Sequence, residues 1–223
     1  MTVRNGVLKA IESAGHWVRA FVGRDKKWEC PGRDQNGRPF PCGRKSQRVV
    51  RNIPDTGLLE LQWERVETSP TAYELRAAGE VVAFLCGEVD LASICCVRTA
   101  SGDWGIAFER EGPRANHVVA RTAETGTEAA WLVKRPLRGC LLSLSDDRDY
   151  HWTMVRWVPP LWSLTSADGS SLLTLSADVL STRERGSVAL APEAIDLPDV
   201  SLLSVLALYI FLLCTHRSAE WAT

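Results

Sequence analysis

The feature that most constrains the fold is a run of 15 residues near the C-terminus, Val200 to Cys214, that is apolar except for Ser201 and Ser204. As an α-helix the run spans about 22 Å at ~1.5 Å per residue. A bilayer core needs about 30 Å, or roughly 20 residues. The preceding sequence DLPD favours a helix start, because Pro suits the first turn and Asp can cap it. The segment is therefore short for a membrane span.

The same run is too apolar for a helix on a protein surface, because its large side chains leave no polar stripe. These side chains are Leu202, Leu203, Val205, Leu206, Leu208, Ile210, Phe211, Leu212 and Leu213. Burial contributes on the order of 1.5–3 kcal/mol for each of them. We therefore expect a helix over about 199–215 that the rest of the chain encloses. The alternative is a C-terminal membrane anchor behind a β-rich cytosolic head.

From about residue 58 onward, apolar and polar residues alternate with the period of two that is typical of strands. In LLELQWERV, for example, Leu59, Leu61 and Trp63 fall on one face. Turn sequences such as AAGE, SGDW and ADGS separate the segments at roughly ten-residue spacing. Besides 58–66 and 104–110, we predict strands at 16–22, 72–77, 80–86, 93–99, 116–121, 128–134, 139–145, 150–157, 160–166, 171–176 and 186–191. The fold class predicted is mainly β, with about twelve antiparallel strands in a closed barrel around the helix.

Nine tryptophans are many for a chain of this length. Large aromatic rings in strands most often fill the core of a sheet. We expect that position for Trp17, Trp63, Trp104, Trp131, Trp152 and Trp157.

We assign the chain to one domain, because no stretch has the composition of an interdomain linker. Residues 1–57 hold an N-terminal strand and a basic loop rich in Gly, Pro and Arg. Residues 58–217 form the barrel with its central helix, and residues 218–223 form a tail. The first residues lack the apolar run and small-residue cleavage site of a secretion signal. We expect a cytoplasmic protein, and peripheral binding to a membrane is compatible with that location.

Charge is unevenly distributed along the chain. Residues 1–52 contain 12 Lys or Arg against 4 Asp or Glu, whereas residues 53–223 contain 14 against 23. Such asymmetry is typical of a surface that binds phosphate groups of lipid or nucleic acid, or of a solvated face that balances the acidic remainder. The candidate residues for binding an anionic ligand are Arg24, Lys26, Lys27, Arg44, Lys45, Arg48 and Arg51.

Catalytic and cofactor signatures are scarce. The sequence contains no nucleophile elbow, phosphate-binding loop or zinc-protease motif. The seven cysteines show no C-x-x-C spacing, so reduced thiols are expected, although Cys30 and Cys42 are placed where they could meet across a loop. The acidic stretch SDDRDYHW suggests a polar hairpin turn more than a cation site. We predict no cofactor, no metal site and no enzymatic activity.

Three stretches together resemble a known family. They are the hairpins YELRAAGEVVAFL and VRTASGDWGIAFER and the terminal helix PDVSLLSVLALYIFLL. Over about residues 55–217 the chain resembles the tubby-like superfamily, which includes tubby C-terminal domains, phospholipid scramblases and plant LURP-one-related proteins. The resemblance implies a twelve-stranded barrel around one very hydrophobic C-terminal helix, without an enzymatic reaction. No position matches the family's phosphoinositide-binding or calcium-binding residues, so none is carried over.

The functional hypothesis is a binding module that docks on anionic lipid headgroups, or on a protein partner, through the basic N-terminal loop. One alternative is a nucleic-acid-binding protein that uses the same loop, with Trp28 or Phe40 for base stacking. The slightly acidic chain as a whole, with a net charge of -1, makes nucleic acid the weaker choice.

Overall fold

Twelve antiparallel strands make up most of the structure, a computed structural model that describes residues 50–57, 59–66, 71–87, 89, 94–111, 115–134, 139–178, 181 and 184–216. The strands are β1 (Glu60–Val66), β2 (Ala72–Ala77), β3 (Glu80–Cys86), β4 (Ile94–Thr99), β5 (Gly102–Glu111), β6 (Ala115–Thr122), β7 (Glu128–Lys134), β8 (Cys140–Leu144), β9 (Asp149–Trp157), β10 (Pro160–Ser166), β11 (Ser171–Ala177) and β12 (Arg185–Leu190). Each strand pairs with its neighbours in sequence, and β12 pairs with β1 to close the barrel. The predicted fold class is confirmed. The predicted strand at 16–22 lies outside the described residues.

In the described part of the chain, three helices accompany the strands: α1 (Ile53–Thr56), α2 (Pro192–Ile195) and α3 (Val200–His216). The long helix α3 is buried on every side from Val200 to Leu213, and its side chains belong to the same core cluster as the inward-facing strand residues. The prediction that the barrel encloses this segment is therefore confirmed. Among the described residues, no helix has both the length and the apolar character needed to cross a bilayer. The single turns α1 and α2 were not predicted.

The barrel closes around α3 because strand residues alternate between the core and the outer surface. In β1, Leu61 and Trp63 are buried, whereas the neighbouring Gln62 and Glu64 are exposed. The Trp63 ring centroid lies 5.7 Å from that of Phe211 in α3, at an interplanar angle of 59°. This tilted geometry is favourable for aromatic pairs. The apolar face of each strand thus packs against the apolar helix, and neither needs another partner.

The two ends of the barrel differ in the elements they carry. The lower end holds the β2–β3 and β8–β9 turns and the start of α3. The upper end holds the last residue of β1, the β9–β10 hairpin and the end of α3.

Candidate docking surface

The predicted basic cluster falls almost entirely outside the described residues: Arg24, Lys26, Lys27, Arg44, Lys45 and Arg48 all precede residue 50. Arg51 is described and lies at the lower end, where its backbone N–H donates to the Val81 carbonyl at 3.1 Å. Its Nε lies 3.0 Å from Oε2 of Glu80, and both side chains are exposed. A guanidinium in an exposed ion pair stays accessible to an external anion, because such a pair is worth at most about 1 kcal/mol.

The acidic stretch between β8 and β9 forms a polar turn. Asp146 accepts a hydrogen bond from Arg148 Nε at 2.7 Å, and this bond lowers the pKa of Asp146. Asp149 accepts from Ser143 Oγ at 2.5 Å, and Asp147 adopts a φ of 67°. These carboxylates therefore stabilise the turn of the hairpin. Within the described ranges, no group of three or more His, Cys, Asp or Glu side chains is arranged to hold a metal ion.

A surface cavity of about 400 Å³ opens on the outer wall where β1 meets β12. It is lined by Gln62, Trp63, Glu64, Arg76, Ser176, Asp178, Arg185, Gly186 and Ser187. Gly186 lets the Trp63 indole and the Ser176 carbonyl approach its backbone closely, because a Cβ there would lie 2.6 Å from Trp63 Nε1 and 1.9 Å from the carbonyl oxygen. Trp63 Nε1 donates to the Ser176 carbonyl at 3.1 Å, and this bond fixes the ring beneath the cavity.

The charges that line this cavity neutralise each other. Arg76 Nε lies 3.2 Å from Oε1 of Glu64, and Arg185 Nη2 lies 2.9 Å from Oδ2 of Asp178. Arg76 also binds the buried carboxylate of Glu74. Because each guanidinium already faces a carboxylate, an anionic ligand would have to displace one. The cavity therefore has no electrostatic preference for a phosphate group.

The most exposed apolar side chains form the tip of the β9–β10 hairpin. Trp157 is 79% exposed, Val158 is 82% exposed and Val155 is 60% exposed. Beside them, the exposed Arg156 donates through Nε to the Pro159 carbonyl at 3.2 Å, leaving its other guanidinium N–H groups toward solvent. A Trp and a Val raised on a hairpin tip beside a cation are the side chains that favour a membrane–water interface.

Further apolar side chains are exposed around the same end. Among the described residues, six large hydrophobic side chains are exposed, and only Leu59 lies toward the lower end. Ile94 begins β4 and Val133 lies one residue before the end of β7, so both are at the upper end with the hairpin. We call Ile94, Val133, Val155, Trp157 and Val158 the apolar collar. Clustering at one end distinguishes it from scattered exposed residues, which need no explanation.

The prediction that Trp157 and Trp131 fill the sheet core is wrong, because Trp157 is exposed and Trp131 is only partly buried outside the core cluster, whereas Trp63, Trp104 and Trp152 are buried as expected. Trp17 lies outside the described residues.

Trp152 faces the core, where its ring stacks on that of Trp162 at 5.5 Å. Trp157 is the last residue of β9, and the pairing of β9 with β10 shifts register between Leu161 and Trp162, so the alternation that buries Trp152 does not continue to Trp157. The sequence pattern alone therefore could not identify the exposed ring.

Contacts between side chains stabilise the upper end where β1 lies between β2 and β12. The phenol of the buried Tyr73 donates to Glu184 Oε2 at 2.6 Å, and Arg65 Nη1 lies 3.5 Å from Oε1 of the same carboxylate. Burial, followed by the hydrogen bond to Glu184, raises the pKa of Tyr73, so the phenol keeps its proton. A neutral Tyr and an ion pair thus link β1 and β2 to the residue before β12.

The expectation of reduced thiols is met only in part. Cys86, Cys95, Cys140 and Cys214 form no disulfide. Cys96 is disulfide-bonded. The expectation is therefore wrong at Cys96.

Comparison of the chain with protein-family models, curated proteins and solved structures gave no match. The resemblance to the tubby-like superfamily stays a prediction.

Proposed function

We propose that this protein is a non-enzymatic, membrane-peripheral binding module that docks the upper end of its barrel on an anionic phospholipid surface in the cytoplasm. The observation that carries the proposal is the exposure of Trp157 and Val158 at the tip of one hairpin. A rigid barrel holds these side chains clear of the body, so they can enter the headgroup region without any change of fold.

The remainder of the collar adds to this argument. Ile94 and Val133 project from β4 and β7, so exposed apolar side chains occur at the upper end on strands other than those of the hairpin. Arg156 is placed beside Trp157, where its guanidinium can meet a lipid phosphate while the ring enters the interface.

The basic N-terminal residues Arg24, Lys26, Lys27, Arg44, Lys45 and Arg48 belong to the proposal as a source of long-range attraction, whereas Arg51, at the lower end, takes no part in it. Each cation near an anionic leaflet contributes about 1 kcal/mol, and this contribution falls as salt screens it. The apolar collar would supply affinity that salt does not remove. Docking through both regions would therefore weaken with salt without disappearing.

Vesicle flotation tests the proposal. We expect the full chain to float with vesicles of phosphatidylcholine and phosphatidylserine and to bind phosphatidylcholine vesicles weakly. The double variant Trp157→Ser, Val158→Ser should lose about tenfold or more in affinity, because each large apolar side chain contributes on the order of 1.5–3 kcal/mol when buried.

Leu59→Ser is the matched control, because Leu59 is an exposed apolar residue at the lower end. It should bind vesicles as the unaltered chain does. Equal binding by the hairpin variant and the unaltered chain would refute docking through the upper end. Absence of binding to either vesicle at low salt would refute membrane docking altogether.

A further inference from the structure

The cavity on the outer wall between β1 and β12 places two opposite charges side by side without joining them. Glu64 in β1 pairs in register with Arg185 in β12, so their Cβ atoms lie about 4.5–5.5 Å apart on the outward face. Each side chain instead turns to its other neighbour: Glu64 Oε1 lies 3.2 Å from Arg76 Nε, and Arg185 Nη2 lies 2.9 Å from Oδ2 of Asp178. A carboxylate and a guanidinium that do not bind each other therefore line one cavity from adjacent strands.

Both groups keep hydrogen-bonding capacity in these pairs. Arg185 uses Nε, at 3.0 Å, and Nη2 for the same oxygen of Asp178, which leaves the two N–H bonds of Nη1. Glu64 uses Oε1 for Arg76, which leaves Oε2 as an acceptor, and within the described ranges no other group bonds to either atom. The side chain of Glu64 is 48% exposed and that of Arg185 is 56% exposed, so a ligand from solvent can reach both.

The balance of charge in the lining selects the class of ligand. The four charged side chains carry two negative and two positive charges: Glu64, Asp178, Arg76 and Arg185. A ligand with a single charge would leave one charge in the site without a partner, which is costly, whereas a ligand with an ammonium and a carboxylate adds no excess. The ammonium can donate to Glu64 Oε2 while the carboxylate accepts from Arg185 Nη1, and such charge-assisted bonds are stronger than neutral ones.

The rest of the lining favours a small polar ligand over a sugar or an apolar molecule. The hydroxyls of Ser176 and Ser187 lie 3.0 Å apart, and Gln62 adds an exposed amide. The volume of about 400 Å³ is in the lower part of the range of about 300–1,000 Å³ that is usual for small-molecule sites. Trp63 is only 2% exposed, so its ring offers no face on which a sugar could stack.

We propose that this cavity binds an α-amino acid group, in which an ammonium and a carboxylate are attached to the same carbon. Glu64 binds the ammonium, Arg185 binds the carboxylate, and the hydroxyls of Ser176 and Ser187 lie beside the remainder of the ligand. The group has two sources, a free polar amino acid such as serine and the headgroup of phosphatidylserine. Binding of the headgroup would rest on the proposed function, whereas binding of the free amino acid would not.

Isothermal titration calorimetry of the full chain tests the site with free ligands. We expect L-serine to bind, and we expect ethanolamine, lactate and glucose, which lack the carboxylate, the ammonium or both, to bind about tenfold more weakly or less. Glu64→Gln and Arg185→Lys should each weaken L-serine binding about tenfold or more, because the first removes the negative charge and the second removes the planar fork of donors.

The exposed ion pair at the lower end supplies matched controls. The side chain of Glu80 is 47% exposed, against 48% for Glu64, and that of Arg51 is 58% exposed, against 56% for Arg185. Glu80→Gln and Arg51→Lys remove the same groups from an equally exposed pair outside the cavity, so both should leave L-serine binding unchanged. Thermal melting of all four variants checks that each keeps the fold.

Vesicles distinguish the two sources of the group. If the headgroup is the ligand, the chain should bind phosphatidylserine vesicles about tenfold more tightly than phosphatidylglycerol vesicles of equal charge, and Glu64→Gln should abolish this preference. Equal binding to the two lipids, with L-serine bound in solution, would assign the free amino acid. The double variant Trp157→Ser, Val158→Ser, which tests membrane docking, should weaken binding to both lipids alike and leave L-serine binding unchanged.

Four outcomes would overturn the proposal. The first is the absence of both L-serine binding and a preference for phosphatidylserine, and the second is a preference that Glu64→Gln leaves intact. The third is binding of ethanolamine, lactate or glucose that is as tight as that of L-serine. The fourth is a loss of L-serine binding in Glu80→Gln equal to that in Glu64→Gln.

Discussion

Arg148, in the turn between β8 and β9, binds Asp199, the residue immediately before α3. The same guanidinium bonds to Asp146 at 2.7 Å and to the Tyr150 hydroxyl at 3.3 Å. The Asp199 carbonyl accepts the N–H of Leu203 at 2.8 Å, which is the first bond of the helix. Arg148 therefore joins the start of the enclosed helix to the rim of the barrel that surrounds it.

We expect Arg148→Ala to lower the free energy of unfolding by about 1 kcal/mol, a modest value because the pairs it makes are partly exposed to solvent. Urea unfolding followed by tryptophan fluorescence measures the change. Arg156→Ala is the matched control, and its effect should stay within about 0.5 kcal/mol, since Arg156 is exposed at the other end. Equal losses in the two variants would argue against this role of Arg148.

The packing of α3 predicts a larger effect in the core. Leu206 lies in the middle of the helix and is fully buried, so Leu206→Ala should cost about 2–5 kcal/mol through lost burial and the cavity left behind. Leu59→Ala, at an exposed position, should cost less than about 1 kcal/mol. Thermal and urea unfolding of both variants compare the two sites. A mild effect at Leu206 would contradict enclosure of the helix.

Gly186 leaves room for both a carbonyl and a ring. A Cβ added there would lie 1.9 Å from the Ser176 carbonyl oxygen and 2.6 Å from Trp63 Nε1. Because the backbone atoms cannot move aside easily, Gly186→Ala should lower the free energy of unfolding by about 1–3 kcal/mol or more, as overpacking does. The variant should also alter the Trp63 fluorescence. The neighbouring Ser187→Ala, which loses one hydrogen bond to Ser176 at 3.0 Å, should cost about 1 kcal/mol. A neutral Gly186→Ala would contradict the close approach of β11 and β12.

The turn between β10 and β11 predicts an acid-dependent contribution to stability. Hydrogen bonds from Ser166 Oγ and from the Ser170 N–H lower the pKa of Asp168. A depressed folded pKa stabilises the fold above the unfolded pKa of about 4, and this stabilisation is lost as the pH falls through the folded pKa. Asp168→Asn should therefore lower Tm at neutral pH, and the difference should shrink below about pH 4.

Ser166→Ala removes the hydrogen bond with the largest effect on this pKa, so it should weaken the same pH dependence. Melting curves at neutral and acid pH compare the three proteins. A Tm difference that stays constant over this range would show that Asp168 acts without its charge.

Much of the barrel could be predicted from the local alternation of apolar and polar residues. The alternation of Leu61 and Trp63 with exposed neighbours identified β1, and β4 starts at Ile94, one residue from its predicted start. Local pattern is sufficient here because a strand with one buried face must repeat every two residues. The exposed apolar residues at the upper end could not be predicted from the sequence. Ile94, Val133 and Val155 are ordinary apolar residues there, and only the circular order of the strands brings them to one end.

The sequence by itself determined the period of the strands and the number of segments, because both depend on neighbouring residues. It also determined the need to enclose Val200–Cys214, because leaving that apolar surface in water is costly. The tertiary structure alone decided that β12 meets β1 and which end of the barrel presents Trp157. These properties depend on contacts between residues far apart in the chain, and local spacing contains no record of such distances.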